Sequence, residues 1–341
     1  EPSSDEADFQ LQRSAFAECL AFWKQEGLDI YGYNTSESVA DLDALRIHLG
    51  AEKIDLWGIS YGSHLALAAL QQIDDHLGRV VITAVEGLAQ TVKQPVRGDQ
   101  YFDRLQDAIN TDPAAKAKYP DVKAMIARVL NQLAAAPLAL EIPMTDTEPV
   151  PYLLQKRDMQ QFTAALVVDP VRVVWILDAY KGLDDGDSST MIALWQRAID
   201  PSDTSVTFRP MTYLMDVASG SGPERRAMIE AQAKTALLGP HMNFSLHLET
   251  VDPSLDLGDT FRTPPISDVP TLVLSGTLDG RTYPESGQEA TAGLAQRQTV
   301  IVKNGGHNLF MLSPEVTEAI QQFMRGEAVH GREILIDLPE F

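Results

Sequence analysis

Apolar positions recur along this chain in two rhythms, one of helical period and one of short continuous runs. After a polar, acidic opening, EPSSDEAD, the residues from about Phe9 to Gln25 place Phe16, Cys19, Leu20 and Trp23 at helical spacing. Asn34, Thr35 and Ser36 then offer N-caps to a second helix, in which Val39, Leu42, Leu45 and Leu49 repeat and Gly50 stands where a C′ glycine ends a helix. Next, Lys53-Ile-Asp-Leu-Trp57 reads as a strand running into the tight turn Gly58-Ile-Ser-Tyr-Gly62, and Ser63 to Leu77 reads as a helix. Arg79 to Val85 is a second strand, bounded by Gly78 and Gly87. Strand, helix and strand in that order predict a parallel pair joined by a right-handed crossover, which makes the fold class α/β with a mostly parallel sheet flanked by helices.

From about Asp99 to Arg262 amphipathic helices dominate and few strands are convincing. Val122, Met125, Ile126, Val129, Leu130 and Leu133 form one helical stripe, and Met191, Ile192, Trp195 and Ile199 another. Breakers such as Asp184 to Asp187 and Ser219 to Pro223 separate them. The α/β pattern returns with a strand at Pro270 to Ser275, a helix near Glu285 to Ala295, a strand at Gln298 to Val302 and a last helix from Pro314 to Met324. The predicted organisation is a core segment 1–98, an inserted helical cap 99–262, and a second core segment 263–341.

Composition narrows the function. The chain has 341 residues with 27 Lys plus Arg against 48 Asp plus Glu, a net charge of −21, and no basic run that could neutralise a phosphate backbone. Apolar residues make up 44%, enough for a folded core despite the charge. The most apolar stretch, Phe162 to Tyr180, is interrupted by Asp169, Pro170 and Arg172, so no membrane span is expected. Cys19 is alone and reads as a small buried hydrophobe. Asp184, Asp185 and Asp187 resemble part of a calcium loop but lack its spacing and terminal Glu, so neither metal nor cofactor is expected.

The chemistry gathers at strand ends. Gly58-Ile-Ser60-Tyr-Gly62 is a G-x-S-x-G pentapeptide between a strand and a helix, the setting of a nucleophile elbow; small flanking residues let backbone approach, and the helix N-terminus faces a forming oxyanion. Ser60 then needs a base. Among seven histidines, His307 lies in the glycine-rich loop Asn304-Gly-Gly-His-Asn308 directly after a strand, where an α/β sheet presents its functional groups. His64 is the competitor, four residues beyond Ser60, but the elbow places Ser60 ahead of the helix, which leaves His64 to line the floor or to pack. Asp279 follows the preceding strand, and serine, acid, histidine is the triad order of a hydrolase built on such a sheet. The backbone N–H of Tyr61 is the candidate oxyanion donor.

Tyr31-Gly-Tyr-Asn-Thr35, Asp41 to Arg46, Leu56-Trp-Gly-Ile-Ser-Tyr-Gly-Ser-His-Leu-Ala66, Pro270 to Asp279 and Gly305-Gly-His307 together resemble the α/β-hydrolase peptidases of the prolyl iminopeptidase and tripeptidyl aminopeptidase group. The resemblance is good over about residues 10–90 and 265–312 and thin through the insertion. It implies an α/β-hydrolase fold, a helical cap over the active site, cleavage near the free N-terminus of a peptide, and Ser60, Asp279 and His307 as nucleophile, acid and base. It also implies cap carboxylates that hold the substrate ammonium; Glu148, Glu224, Glu230 and Glu249 are the candidates. Relatives are often exported, which implies a secreted or periplasmic location, with a cytoplasmic one as the alternative. One departure is large. The group carries, ahead of the segment seen in this chain, several strands and a His-Gly-Gly-Pro-Gly-like loop that supplies a second oxyanion donor, and only 52 residues precede Lys53. A start at Glu1 is not a translational start, so the expectation is an upstream segment, or a second polypeptide, that completes the sheet. A carboxylesterase acting on small esters and a catalytically silent binding protein are the alternative functions.

Overall fold

The computed structural model describes residues 3–144, 148–198, 208–243, 245–310 and 312–341; Ile199 of the predicted helical stripe lies outside the described residues. Helix α1 (Asp5–Gln25) is capped by Ser4, whose side chain accepts from the N–H of Ala7, and it carries Asp5, Glu6 and Asp8 at its positive end. Helix α2 (Thr35–His48) is capped by Asn34, as its sequence predicts, and Gly50 closes it at φ 66°. Strand β1 (Ile54–Ile59) and helix α3 (Tyr61–Gln72) follow. The helix stops at Gln72, short of the predicted Leu77, because Ile73 leaves helical geometry at φ −140° and Asp74–His76 forms a separate turn. Strand β2 (Leu77–Thr83) therefore begins two residues earlier than expected.

The span expected to be a helical insertion contains helices α4 (Pro95–Ile109), α5 (Pro113–Lys118) and α6 (Val122–Ala135), then strands β3 (Leu138–Ile142) and β4 (Val150–Leu154). The two strands pair as an antiparallel hairpin that the sequence reading did not anticipate. Helices α7 (Lys156–Leu166), α8 (Pro170–Asp184), α9 (Ser189–Ala198), α10 (Pro210–Ser219), α11 (Pro223–Ala233) and α12 (Gly258–Arg262) complete this span. Strand β5 (Thr271–Gly276), helix α13 (Pro284–Ala290), strand β6 (Arg297–Lys303), helix α14 (Pro314–Met324) and strand β7 (Arg332–Leu335) end the chain. The last strand is also additional to the sequence reading.

All five strands of the main sheet are parallel, in the order β1-β2-β5-β6-β7. Its two faces are buried by different layers, which explains why its strands read as continuous apolar runs. Val80 and Ile82 pack with Leu67 and Leu70 of α3, while Val81 between them packs with Val316 and Phe323 of α14. A third cluster joins the insertion helices around Tyr119, Ile126, Ile176 and Tyr180. Helix α1 does not sit on the sheet: Phe16, Leu20 and Trp23 pack against Leu214 and Val217 of α10 and against Leu248 and Leu255, all from the insertion span. Strand β1 lies at the edge of the sheet, and its outer side is unpaired among the described residues. Trp57 on that edge is 61% exposed.

Candidate active site

The pentapeptide at the end of β1 is wound into a strained elbow. Ser60 adopts φ 55° and ψ −121°, a conformation costing about 1–3 kcal/mol for a residue with a side chain. Its carbonyl accepts from the N–H groups of Ser63 and His64, at 2.8 and 3.3 Å, and so starts α3. Gly58 is required by sterics, since a Cβ there would lie 2.2 Å from the carbonyl oxygen of Gly62. The same expectation does not hold at Gly62, where a Cβ would meet nothing within 4 Å. Tyr61, the first residue of α3, has an N–H with no intrahelical acceptor, aimed out of the positive end of the helix.

Asp279 and His307 come together across neighbouring strand ends. Asp279, in the turn after β5, is 1% exposed, and its Oδ2 lies 3.0 Å from Nδ1 of His307 in the loop after β6. The turn between α7 and α8 holds both loops: the carbonyl of Val167 accepts from the N–H of Gly280 at 2.9 Å, and that of Val168 accepts from the N–H of His307 at 2.8 Å. A Cβ at Gly280 or Gly306 would collide with this turn. Ser60 lies three strand spacings from β6, about 14 Å between strand axes, and the loops must reach inward over that distance. No hydrogen bond joins its Oγ to His307 among the described residues.

His64 is fully buried. Its Nδ1 is 3.2 Å from the carbonyl oxygen of Gly87 and its Nε2 is 3.1 Å from Oγ of Ser219, and burial pushes its pKa down. It ties α3 to the loop after β2 and to α10, and both ring nitrogens are occupied.

Glu249 and Glu230 both face Arg226, and Glu148 and Glu224 are exposed. A different acid was missed. Asp216, on α10, is surrounded electrostatically by Glu86 and Lys93 from the segment after β2 and by Arg281 from the loop of Asp279, and its own charge reaches Tyr61 beside Ser60. Burial, and then the negative charge of Glu86, raise its pKa from 3.8 to about 7 against the pull of Lys93 and Arg281. Glu86 itself is buried and ion-paired with Lys93; burial pushes its pKa up, but Lys93 and then His64 outweigh this and hold it ionised. Glu86 stands at the carboxyl end of β2, the position that singled out Asp279 and His307, so that rule applied to every strand would have found it. Asp216 is mid-helix and carries no such signal.

No cluster of three or more metal-ligating side chains occurs among the described residues. Asp184 and Asp185 pair with Arg128 and Lys181, and Asp187 caps the N–H of Ser189. Among the described residues no helix is long and apolar enough to cross a membrane.

A model of the α/β hydrolase fold family matches residues 13–314. A comparison with curated proteins yields no match. Among solved structures, a thermophilic esterase from Thermogutta terrifontis is 16% identical, with 86% of this chain and 72% of that chain covered and a TM-score of 0.33. A putative non-heme bromoperoxidase from Mycobacterium tuberculosis is 16% identical over 86% and 75%, with a TM-score of 0.38. A meta-cleavage product hydrolase from Pseudomonas fluorescens is 12% identical over 88% and 75%, with a TM-score of 0.37. Likenesses this loose bear on neither substrate nor mechanism.

Proposed function

The chain belongs to the α/β hydrolase fold family, and from that premise we propose that it is a serine hydrolase with Ser60 as nucleophile, His307 as base and Asp279 as the acid that orients the imidazole. Oγ of Ser60 attacks the substrate carbonyl as its proton passes to Nε2 of His307, and the N–H of Tyr61 with the positive end of α3 receives the oxyanion. The imidazolium then protonates the leaving group, and water, deprotonated by the same nitrogen, releases the acyl group from Ser60. The observation that carries this reading is the elbow: a serine held at positive φ at the mouth of α3, on the same sheet edge as a buried Asp279 bonded to His307. Labelling with a fluorophosphonate tests it. The expected adduct maps to Ser60 and is lost in Ser60→Ala; a full-length preparation that takes up no label would instead be the silent binding protein.

Within that class we favour an amide bond near a free peptide N-terminus over a small ester. What supports this is Asp216, a carboxyl group within electrostatic reach of Tyr61 and Arg281, which a substrate ammonium would draw into its ionised form. Aminoacyl and tripeptidyl anilides should turn over, and Asp216→Asn should raise their KM about tenfold while leaving N-acetylated anilides unchanged. Turnover confined to p-nitrophenyl esters would establish the esterase instead.

We also propose that the open edge of β1 is paired in the working protein by a strand from another stretch of polypeptide, which would bring a second oxyanion donor. The exposed Trp57 and the unpaired edge support this. Slow amide exchange along Ile54–Ile59 on the outward-facing N–H groups is the expected result, and fast exchange there would refute it.

A further inference from the structure

The two oxygens of Asp279 are used differently. Oδ1 accepts from its own loop, taking the backbone N–H groups of Arg281 at 2.8 Å and Thr282 at 2.9 Å. Oδ2 faces His307, and at that oxygen a second side chain intervenes: the hydroxyl of Thr282 lies 2.5 Å from Oδ2, and the same Oγ1 is 3.3 Å from Nδ1 of His307. Oγ1, Oδ2 and Nδ1 therefore close a triangle. Thr282 is 5% exposed, so water does not compete freely for these atoms.

Proton counting leaves two arrangements. In one, the threonine proton goes to Oδ2, the lone pairs of Oγ1 face the imidazole, and Nδ1 carries its proton into the gap between Oδ2 and Oγ1. In the other, the threonine proton goes to Nδ1, which forces the imidazole proton onto Nε2 and takes away one donor from a buried carboxylate. An ionised acceptor holds a hydroxyl proton more strongly than a neutral ring nitrogen, and the contact of 2.5 Å against 3.3 Å agrees.

We propose that Thr282 is a positioning residue for the acid: its hydroxyl, donated to Oδ2 of Asp279, fixes the oxygen that accepts the Nδ1 proton of His307 and so holds the ring whose Nε2 receives the Ser60 proton. The role rests on the serine hydrolase reading of Ser60, Asp279 and His307. It differs from packing, because valine has nearly the shape of threonine and lacks only the hydroxyl.

Thr282→Val and Thr282→Ser provide the test, read by kinetics on p-nitrophenyl acetate and by nitrogen-15 NMR of the His307 ring. In Thr282→Val, kcat falls about tenfold, the size of one hydrogen bond to a charged group, while KM stays within about twofold. The ring stays in the Nδ1–H tautomer, because Asp279 still accepts there, but the Nδ1–H signal shifts as the bond to Oδ2 loses its fixed geometry, and Thr282→Ser restores both readouts. A Thr282→Val protein that keeps wild-type kcat and an unchanged Nδ1–H signal overturns the proposal, as does a Thr282→Ser protein that stays as impaired as the valine variant. If the wild-type protein turns over neither ester nor amide, the hydrolase reading fails, and the Nδ1–H signal compared between wild type and Thr282→Val still decides the role of Thr282.

Discussion

Replacing Asp216 by asparagine should make the protein more stable, and only above a definite pH. The carboxyl accepts no hydrogen bond among the described residues, and its ionisation is opposed first by burial and then by Glu86. A pKa raised from 3.8 to about 7 means that the native state binds a proton the unfolded chain releases. The contribution of Asp216 is therefore neutral below the unfolded value, turns unfavourable as pH climbs from about 4 to about 7, and is fully unfavourable beyond. At 1.36 kcal/mol per pH unit the displacement amounts to at most ~4 kcal/mol. The side chain keeps partial contact with solvent, so a realised gain of about 1–2 kcal/mol is expected for Asp216→Asn at pH 8. Urea unfolding of both proteins at pH 4 and pH 8 measures it, through the shift in midpoint at constant slope. Curves that separate at pH 8 and coincide at pH 4 are the expected result. An equal gap at both values would mean that the substitution acts through packing; a loss of stability at pH 8 would mean that Lys93 and Arg281 stabilise the anion more than burial and Glu86 oppose it.

Other outcomes follow from the same geometry. Gly58→Ala drives a methyl group into the carbonyl of Gly62 at 2.2 Å and displaces the start of α3, so fluorophosphonate labelling of Ser60 should slow at least about 100-fold, with a loss of about 1–3 kcal/mol in stability. His64→Leu should cost about 2–3 kcal/mol in urea unfolding by leaving Gly87 and Ser219 short of their partner, yet labelling at Ser60 should persist in the folded fraction; loss of labelling without loss of stability would make His64 the base. Lys93→Met strands the buried Glu86 and should destabilise by about 3–5 kcal/mol, while the double variant with Glu86→Leu should recover most of it. A double variant no more stable than the single one would show that the ion pair is not what the lysine supplies.

The elements that could be read in the sequence are those whose causes are local. Asn34 before α2 and Gly58 within the elbow act on atoms a few residues away, and each is found where the pattern places it. The meeting of Asp279 with His307 could be read for a related reason: a loop that follows a parallel strand must emerge at one edge of the sheet, whatever else surrounds it. Strand β7 escaped notice because four residues with one buried side chain carry little periodicity, and the β3–β4 hairpin because a partner, rather than either strand's composition, defines it. Helix α1 shows the same limit from another side. Its apolar stripe announces a buried face but not which surface buries it, and α10 with the residues around Leu248 provides that surface.

By itself the sequence determined the α/β class, the strained serine between strand and helix, and the order of the three residues at successive strand ends, because backbone sterics and strand polarity require no knowledge of distant neighbours. Tertiary structure alone decided that Asp216 loses most of its water beside Glu86, that Thr282 meets both members of the Asp279–His307 pair, and that β1 ends the sheet with Trp57 exposed. Those properties belong to pairs of groups far apart in the chain, and a pKa, a tautomer or an open edge exists only once folding has set what stands next to what.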